Sequence, residues 1–131
     1  MCHYQQQSKN RQAMYQIPKD LNLQLFEGLF VQQICFTKNT IHLFFGNNKD
    51  IQINGGFTIK RKQQEKFKRF ELYPISCDMG ILELLEKKVL VICPQNENLV
   101  IEFEDDYTIE LTNNEQYESF EINIEGKRTI I

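Results

Sequence analysis

The sequence predicts an α+β fold of mainly antiparallel strands, with two pseudo-repeated three-stranded meanders (residues 31–59 and 89–124) and one short covering helix. The first observation is an internal repeat, because residues 31–53 align with 89–111 at a constant offset of 58 without a gap. The second is composition, since both copies hold short runs rich in Val, Ile, Phe and Thr, bounded by Asn, Gly and Asp. Self-similarity at a fixed spacing marks a repeated structural unit, so the two copies are expected to fold alike.

The matched positions lie within the predicted strands of each copy. They are Val31 and Val89, Ile34 and Ile92, Cys35 and Cys93, Leu43 and Ile101, Phe45 and Phe103, Ile51 and Ile109, and Ile53 and Leu111. In the first copy the strands are VQQICF, TIHLFF and DIQI, and the Asn-Gly-Gly turn at 54–56 supplies positive φ angles before FTIK resumes the extended pattern. In the second copy VLVICP, LVIEFE and YTIELT take the same places, and residues 117–124 and 127–131 are predicted to form a last hairpin.

The segment between the copies carries the predicted covering helix. It lies in MGILELLEKK, whose apolar side chains fall on one side of a helix. These side chains are Ile81, Leu82, Leu84 and Leu85. Lys87 and Lys88 follow near the C-terminal end, where a helix dipole favours positive charge.

The chain has the length of a single domain, with 131 residues. Residues 21–131 are predicted to form this α+β domain, and the polar, glutamine-rich residues 1–20 a flexible arm. No apolar run approaches the roughly 20 residues that a membrane helix needs. The N-terminus also lacks the apolar core of a secretory signal. A cytoplasmic location without membrane contact is therefore predicted.

The four cysteines show no CxxC spacing of the kind found in metal and redox motifs. Cys35 and Cys93 occupy equivalent places in the two copies, within otherwise apolar strands. We predict that both are reduced, buried thiols, which behave as small hydrophobic side chains. A disulfide between them would require an oxidising compartment.

Motifs for catalysis and metal binding do not occur in the sequence. The two histidines are His3 and His42, and none of the patterns HExxH, GxSxG, GxxxxGK[ST] or GxGxxG is found. We therefore predict a protein that is not an enzyme, with no catalytic residue, no bound metal and no cofactor.

Charge is divided unequally along the chain, although the net charge is only −3. Residues 1–76 hold 11 Lys or Arg and 5 Asp or Glu, whereas residues 77–131 hold 4 and 13. Such asymmetry between halves favours an electrostatic partner.

Strand alternation within the second copy predicts an acidic face. From Glu97 to Glu121 there are nine acidic residues and no Lys or Arg. Side chains alternate across a strand, so Glu102 and Glu110 point away from the core, and Glu121 joins them if the last strand is a neighbour. The predicted partner-binding residues are Glu102, Glu104, Asp105, Asp106, Tyr107, Glu110, Tyr117 and Glu121. The plainer interpretation is a solvated face that aids solubility.

The basic stretch offers a second candidate site. Its cations alternate with Phe67 and Phe70, a combination that binds nucleic acid through phosphate contacts and stacking. The acidic pI of about 5.4 argues against nucleic acid as the main partner. The remaining interpretations are a solvated loop, an intramolecular partner for the acidic half, or a site for a small anion. The residues in question are Lys60, Arg61, Lys62, Lys68 and Arg69.

The second half of the chain resembles a small bacterial domain family. The family pattern has a short Leu-Leu helix, three strands with an acidic turn before the third, and a terminal Y-E-[SA]-[FW]-E-[IL]. The matching residues are Leu84-Leu85, Val89, Leu99–Phe103, Asp105-Asp106, Ile109–Leu111 and Tyr117–Ile122. The resemblance implies similarity to immunity proteins encoded beside bacterial toxins. It carries over no binding residues, because the matched positions belong mostly to the core.

Two functions follow as expectations. The first is an immunity protein that neutralises a cationic, nuclease-like toxin by covering its active site with the acidic face. The second is a protein that binds or sequesters a small nucleotide signal through the basic stretch.

Overall fold

The structure is a computed structural model that describes residues 16–62, 64–69, 80–114 and 118–131, with the backbone alone described for 64–69. These residues form ten strands. The strands are β1 (Gln33–Phe36), β2 (Ile41–Gly46), β3 (Lys49–Ile53), β4 (Phe57–Arg61), β5 (Gln64–Arg69), β6 (Val89–Gln95), β7 (Asn98–Phe103), β8 (Tyr107–Leu111), β9 (Phe120–Ile124) and β10 (Lys127–Ile130). The predicted dominance of antiparallel strands is confirmed.

The strands form two five-stranded sheets. The order is β1-β2-β3-β9-β10 in the first sheet and β5-β4-β8-β7-β6 in the second. Neighbouring strands are antiparallel throughout both sheets. Each sheet therefore combines the three-stranded meander of one copy with the hairpin that follows the other copy.

The two exchanged hairpins pair in equivalent registers. Phe120 of β9 lies opposite Ile53 in the first sheet, and Phe57 of β4 lies opposite Leu111 in the second. Ile53 and Leu111 are matched positions of the repeat. The repeat thus extends beyond its aligned residues, and the exchange ties the two copies into one unit.

A single hydrophobic core joins the two sheets. Its side chains come from alternate strand positions, as in β2, where Ile41, Leu43 and Phe45 are buried and the residues between them are half-buried. Phe45 packs edge-to-face against Phe26, with ring centroids 5.2 Å apart. Because of this alternation, one face of each sheet points away from the core and can contact solvent or other molecules.

The predicted covering helix is not confirmed. In its place the structure has a 3-10 turn, η2 (Gly80–Leu84), and every helical segment within the described ranges is of this type. An equivalent turn, η1 (Leu23–Phe26), precedes the first copy. The buried pairs Leu23/Phe26 and Ile81/Leu84 are three residues apart, which fits the three residues per turn of a 3-10 helix.

Two other predictions concern the chain's ends and its location. Residues 1–15 of the predicted arm lie outside the described residues, but Ile17 is buried and belongs to the core. No helix within the described ranges is long and apolar enough to cross a membrane.

Cys93 is buried, as predicted, but it is disulfide-bonded, so the prediction of a reduced thiol is wrong for it. Cys35 is free and half-buried, so the two equivalent cysteines are not bonded to each other. Cys35 lies opposite His42 and Cys93 opposite Val100, and the neighbouring Ile92 belongs to the hydrophobic core. Disulfides persist in oxidising compartments, so this bond weighs against the predicted cytoplasmic location.

Candidate functional site

The outer face of the second sheet brings together part of the predicted acidic face. Glu110 of β8 lies opposite Val100 of β7, and Glu102 lies opposite Thr108. Ile101 and Ile109, their chain neighbours, are buried in the core. Strand alternation therefore places Glu102 and Glu110 on the same outer surface, as predicted.

The predicted position of Glu121 on that surface is wrong. β9 pairs with β3 and not with β8, so Glu121 lies on the outer face of the first sheet, opposite Gln52. Its side chain is 15% exposed and lies 3.5 Å from the guanidinium of Arg128. The amides of Gln52 and Asn54 also donate to its carboxylate, each at 3.5 Å. Glu121 is thus a member of an internal network and not a docking residue.

The acidic turn between β7 and β8 is partly neutralised by the chain itself. The Glu104 carboxylate accepts the backbone N–H of Lys88 at 3.0 Å, and the Asp105 carboxylate lies 3.4 Å from the ammonium of Lys87. Asp106 is exposed, and its carboxylate makes no ion pair with any cation in the described part of the chain. Of these three acids, Asp106 is therefore the one available to a partner.

Tyr107, one of the predicted partner-binding residues, is buried. It is 6% exposed, and its hydroxyl donates a hydrogen bond to the carboxylate of Glu83. The cations of Arg61 and Lys87 lie 5.2 and 5.5 Å from its ring centroid, a cation–π arrangement. Tyr107 therefore fastens η2 and β4 to β8. Tyr117, the other predicted aromatic contact, lies outside the described residues.

Replacing Tyr107 with phenylalanine is expected to cost about 1 kcal/mol of folding free energy, since the exposed Glu83 regains water when it loses its donor. The Glu83 hydrogen bond first, and burial second, raise the pKa of Tyr107 above 10.0. Its contribution is therefore complete below pH 10 and falls as the pH rises through the higher folded pKa. Urea unfolding of both proteins from pH 8 to 11 tests this. A stability difference that does not shrink above pH 10 would contradict it.

A concave surface of about 470 Å³ lies over the outer face of the second sheet. Its lining includes the acidic Glu102, Asp106 and Glu110 and also the basic Lys60 and Lys62, and the backbone N–H of Lys62 donates to the Asp106 carbonyl at 3.2 Å. We call the surface formed by Glu102, Asp106 and Glu110 the acidic face. Glu110 accepts a hydrogen bond from the Asn98 amide at 2.8 Å, which holds its carboxylate in place.

The basic stretch lies beside the acidic strands in the same sheet. β4 pairs with β8, so that Lys60 is opposite Thr108 and Arg61 opposite Tyr107. Arg61 is engaged, because its Nε donates to the carbonyl of Asp105 at 3.4 Å. Lys68 and Arg69 belong to β5, where the backbone alone is described. This placement supports the prediction that the basic stretch neighbours the acidic half within the molecule.

Sequence reasoning missed Leu90, which is 51% exposed and lines the same concave surface. The register of β6 against β7 shifts between Val89 and Val91, and such a bulge redirects a side chain. The repeat could have identified Leu90 as unusual, because the equivalent position in the first copy is the polar Gln32. An apolar residue that replaces a polar one on an exposed strand suggests a contact surface.

Within the ranges that the structure describes, no group of three or more His, Cys, Asp or Glu side chains is arranged to hold a metal ion. That the protein binds no metal and no cofactor stays a prediction from the sequence. No family model, curated protein or solved structure with which the chain was compared matches it.

Proposed function

We propose that the chain is a non-catalytic binding protein that holds a cationic protein against its acidic face. Following the family resemblance, we propose as partner a bacterial toxin with a basic active site, such as a nuclease. The observation that supports this most directly is that two carboxylates of the acidic face are not neutralised by the described cations. Glu102 and Asp106 are exposed, and their carboxylates make no ion pair with the described Lys and Arg residues.

Unpaired carboxylates on one concave surface favour a partner of opposite charge. Complementary potentials speed the encounter of two proteins and reject partners of the wrong charge. Lys60 and Lys62 line the same surface and would repel the same cations, so the partner's basic groups would have to approach Glu102 and Asp106 in an orientation that avoids these lysines. The acidic face therefore sets orientation as well as attraction.

The internal repeat shows that the fold does not require this charge. The first copy carries Phe44, Asn48 and Gln52 at the positions equivalent to Glu102, Asp106 and Glu110. Both copies nevertheless form the same three-stranded meander. The three acidic residues of the second copy are thus free to serve recognition.

The proposed mechanism is occlusion. Carboxylates held on a rigid sheet would occupy the positions at which the phosphates of a nucleic acid substrate meet basic active-site side chains. Anchoring is provided by strand backbone and, for Glu110, by the Asn98 amide. No chemical step is needed for such inhibition.

Charge reversal of Glu102 and Glu110 together, to lysine, is expected to slow association with the partner by about 10- to 100-fold at low salt. The partner is first captured from the native host with the wild-type chain, and its binding rates are then measured at several salt concentrations. Glu118→Lys is the matched control, since Glu118 is an exposed acid that precedes β9 of the other sheet. It should leave the association rate nearly unchanged.

Toxin neutralisation has a separate readout. The captured partner, expressed alone, should arrest bacterial growth, and co-expression of the wild-type chain should restore it. The Glu102→Lys/Glu110→Lys variant should restore growth poorly. A partner that binds this variant as fast as wild type would refute the acidic face as the site, and a harmless partner would refute the toxin assignment.

The second expected function, binding of a small anionic nucleotide, receives less support. Arg61 is engaged with Tyr107 and Asp105, and Lys60 and Lys62 share their concave surface with three carboxylates. An anion placed there would be repelled by those carboxylates.

A further inference from the structure

Leu90 lies where the acidic face meets a second concave surface. This second surface has a volume of about 880 Å³ and runs between residues 17–24 and strand β6. Its lining combines apolar side chains such as Leu21, Val91 and Pro94 with charged ones, which are Lys19, Asp20 and Glu27. Leu90 lines both this groove and the surface beside Glu102. We call it the apolar groove. The apolar groove thus adjoins the unpaired carboxylates of the acidic face.

The backbone beside Leu90 leaves room for a foreign side chain. Gly28 donates its N–H to the carbonyl of Val89 at 2.8 Å, so its backbone lies next to Leu90. A Cβ atom built at Gly28 would have no neighbouring atom within 4 Å. The side chain of Leu90 is itself 51% exposed, so a partner's apolar side chain can pack against it.

The outer edge of β6 is closed to strand addition. The backbone N–H of Ile92 is already bonded to the Glu27 carboxylate at 3.4 Å, and Pro94 has no N–H to donate. A partner at this edge would therefore find side-chain contacts and not a template for β pairing. Side-chain insertion is the mode of contact that this groove favours.

We infer that the cationic partner inserts a large apolar side chain into the apolar groove against Leu90, while its neighbouring Lys or Arg residues contact Glu102 and Asp106. This inference rests on the proposed function and specifies its partner as an amphipathic basic segment. The central apolar contact surrounded by charge is the usual arrangement of a protein interface. The acidic face speeds association, and the groove slows dissociation.

Two synthetic peptides test this inference with isotope-labelled protein by NMR titration. Both place lysines and arginines around a central dipeptide, which is Leu-Phe in one peptide and Ser-Ser in the other. The Leu-Phe peptide should bind about tenfold more tightly, as expected for burial of one large apolar side chain. It should shift the amide signals of Leu21, Leu90 and Val91 in addition to those of the acidic face.

Leu90→Gln is the diagnostic variant, because the first copy carries Gln32 at the equivalent place and folds with it. This change should abolish the tenfold preference and leave binding of the Ser-Ser peptide unchanged. Ile130→Gln is the control, since Ile130 is 41% exposed on β10 of the other sheet. It should alter neither affinity.

The outcomes separate the two proposals. Equal binding of both peptides to the wild-type protein, or a preference that survives Leu90→Gln, would overturn the groove and leave the acidic face standing. If neither peptide shifts the signals around Glu102, the acidic face itself is refuted, and the inference falls with it.

Discussion

Replacing Phe120 with alanine is expected to lower the free energy of unfolding by about 3–5 kcal/mol. Phe120 is fully buried and lies opposite Ile53, at the first position where β9 joins the first sheet. The deletion leaves a cavity between elements of different copies, which the surrounding strands can fill only in part. A loss of this size is a large fraction of the stability of an ordinary domain.

Phe57→Ala should have an effect of similar size, because Phe57 holds the equivalent place in the second sheet. Each sheet contains strands of both copies, so neither copy can keep its sheet once the other has unfolded. Urea unfolding followed by circular dichroism should show one transition, shifted to lower urea in both variants. Ile130→Ala, at an exposed position, should shift it little. Two separate transitions would contradict this coupling.

Replacing Arg128 with alanine is expected to cost about 2–3 kcal/mol, less than for a fully buried pair because Arg128 is 40% exposed. Its guanidinium lies 3.3 Å from the Asp50 carboxylate and 3.5 Å from that of Glu121. Asp50 is buried, so loss of the cation leaves a negative charge that water reaches poorly.

The stability cost of Arg128→Ala should be smaller once Asp50 is also replaced. The second copy carries Thr108 at the position equivalent to Asp50, so Asp50→Thr is compatible with this strand geometry. In a double-mutant cycle measured by urea unfolding, Arg128→Ala should cost less in the Asp50→Thr background than in the wild type. Equal costs in both backgrounds would show that Asp50 and Arg128 do not stabilise each other.

The repeat and the strand alternation made much of the fold predictable. Apolar residues at every second position identified the strands and their buried faces, and the matched copies predicted two alike meanders. The predicted helix is not confirmed. Its apolar spacing suits a 3-10 turn as well as an α-helix, and a segment of five residues is too short for the spacing to distinguish the two. Short segments of this kind are decided by what they pack against.

The candidate site was predictable only where it depends on local alternation. Glu102 and Glu110 were placed correctly on one face, because β7 and β8 are adjacent in the chain and joined by a short turn. Tyrosine is a residue type typical of interfaces, which is why Tyr107 was predicted as a contact residue. Its side chain instead contacts Glu83, Arg61 and Lys87 of the same molecule. Local alternation already indicated its burial, because Tyr107 shares the strand parity of the buried Ile109 and Leu111, whereas its contacts with distant elements are not visible in the local pattern.

The sequence by itself determined the strands of the two meanders and the outward direction of Glu102 and Glu110, since these follow from side-chain alternation over a few residues. It did not predict β5 within the basic stretch. Only the tertiary structure decided which strands are neighbours. β9 pairs with β3 across a long separation in the chain, which moves Glu121 to the other sheet. Such pairing is chosen by burial in the shared core, where Phe120 packs. The energy of that packing depends on all the elements at once.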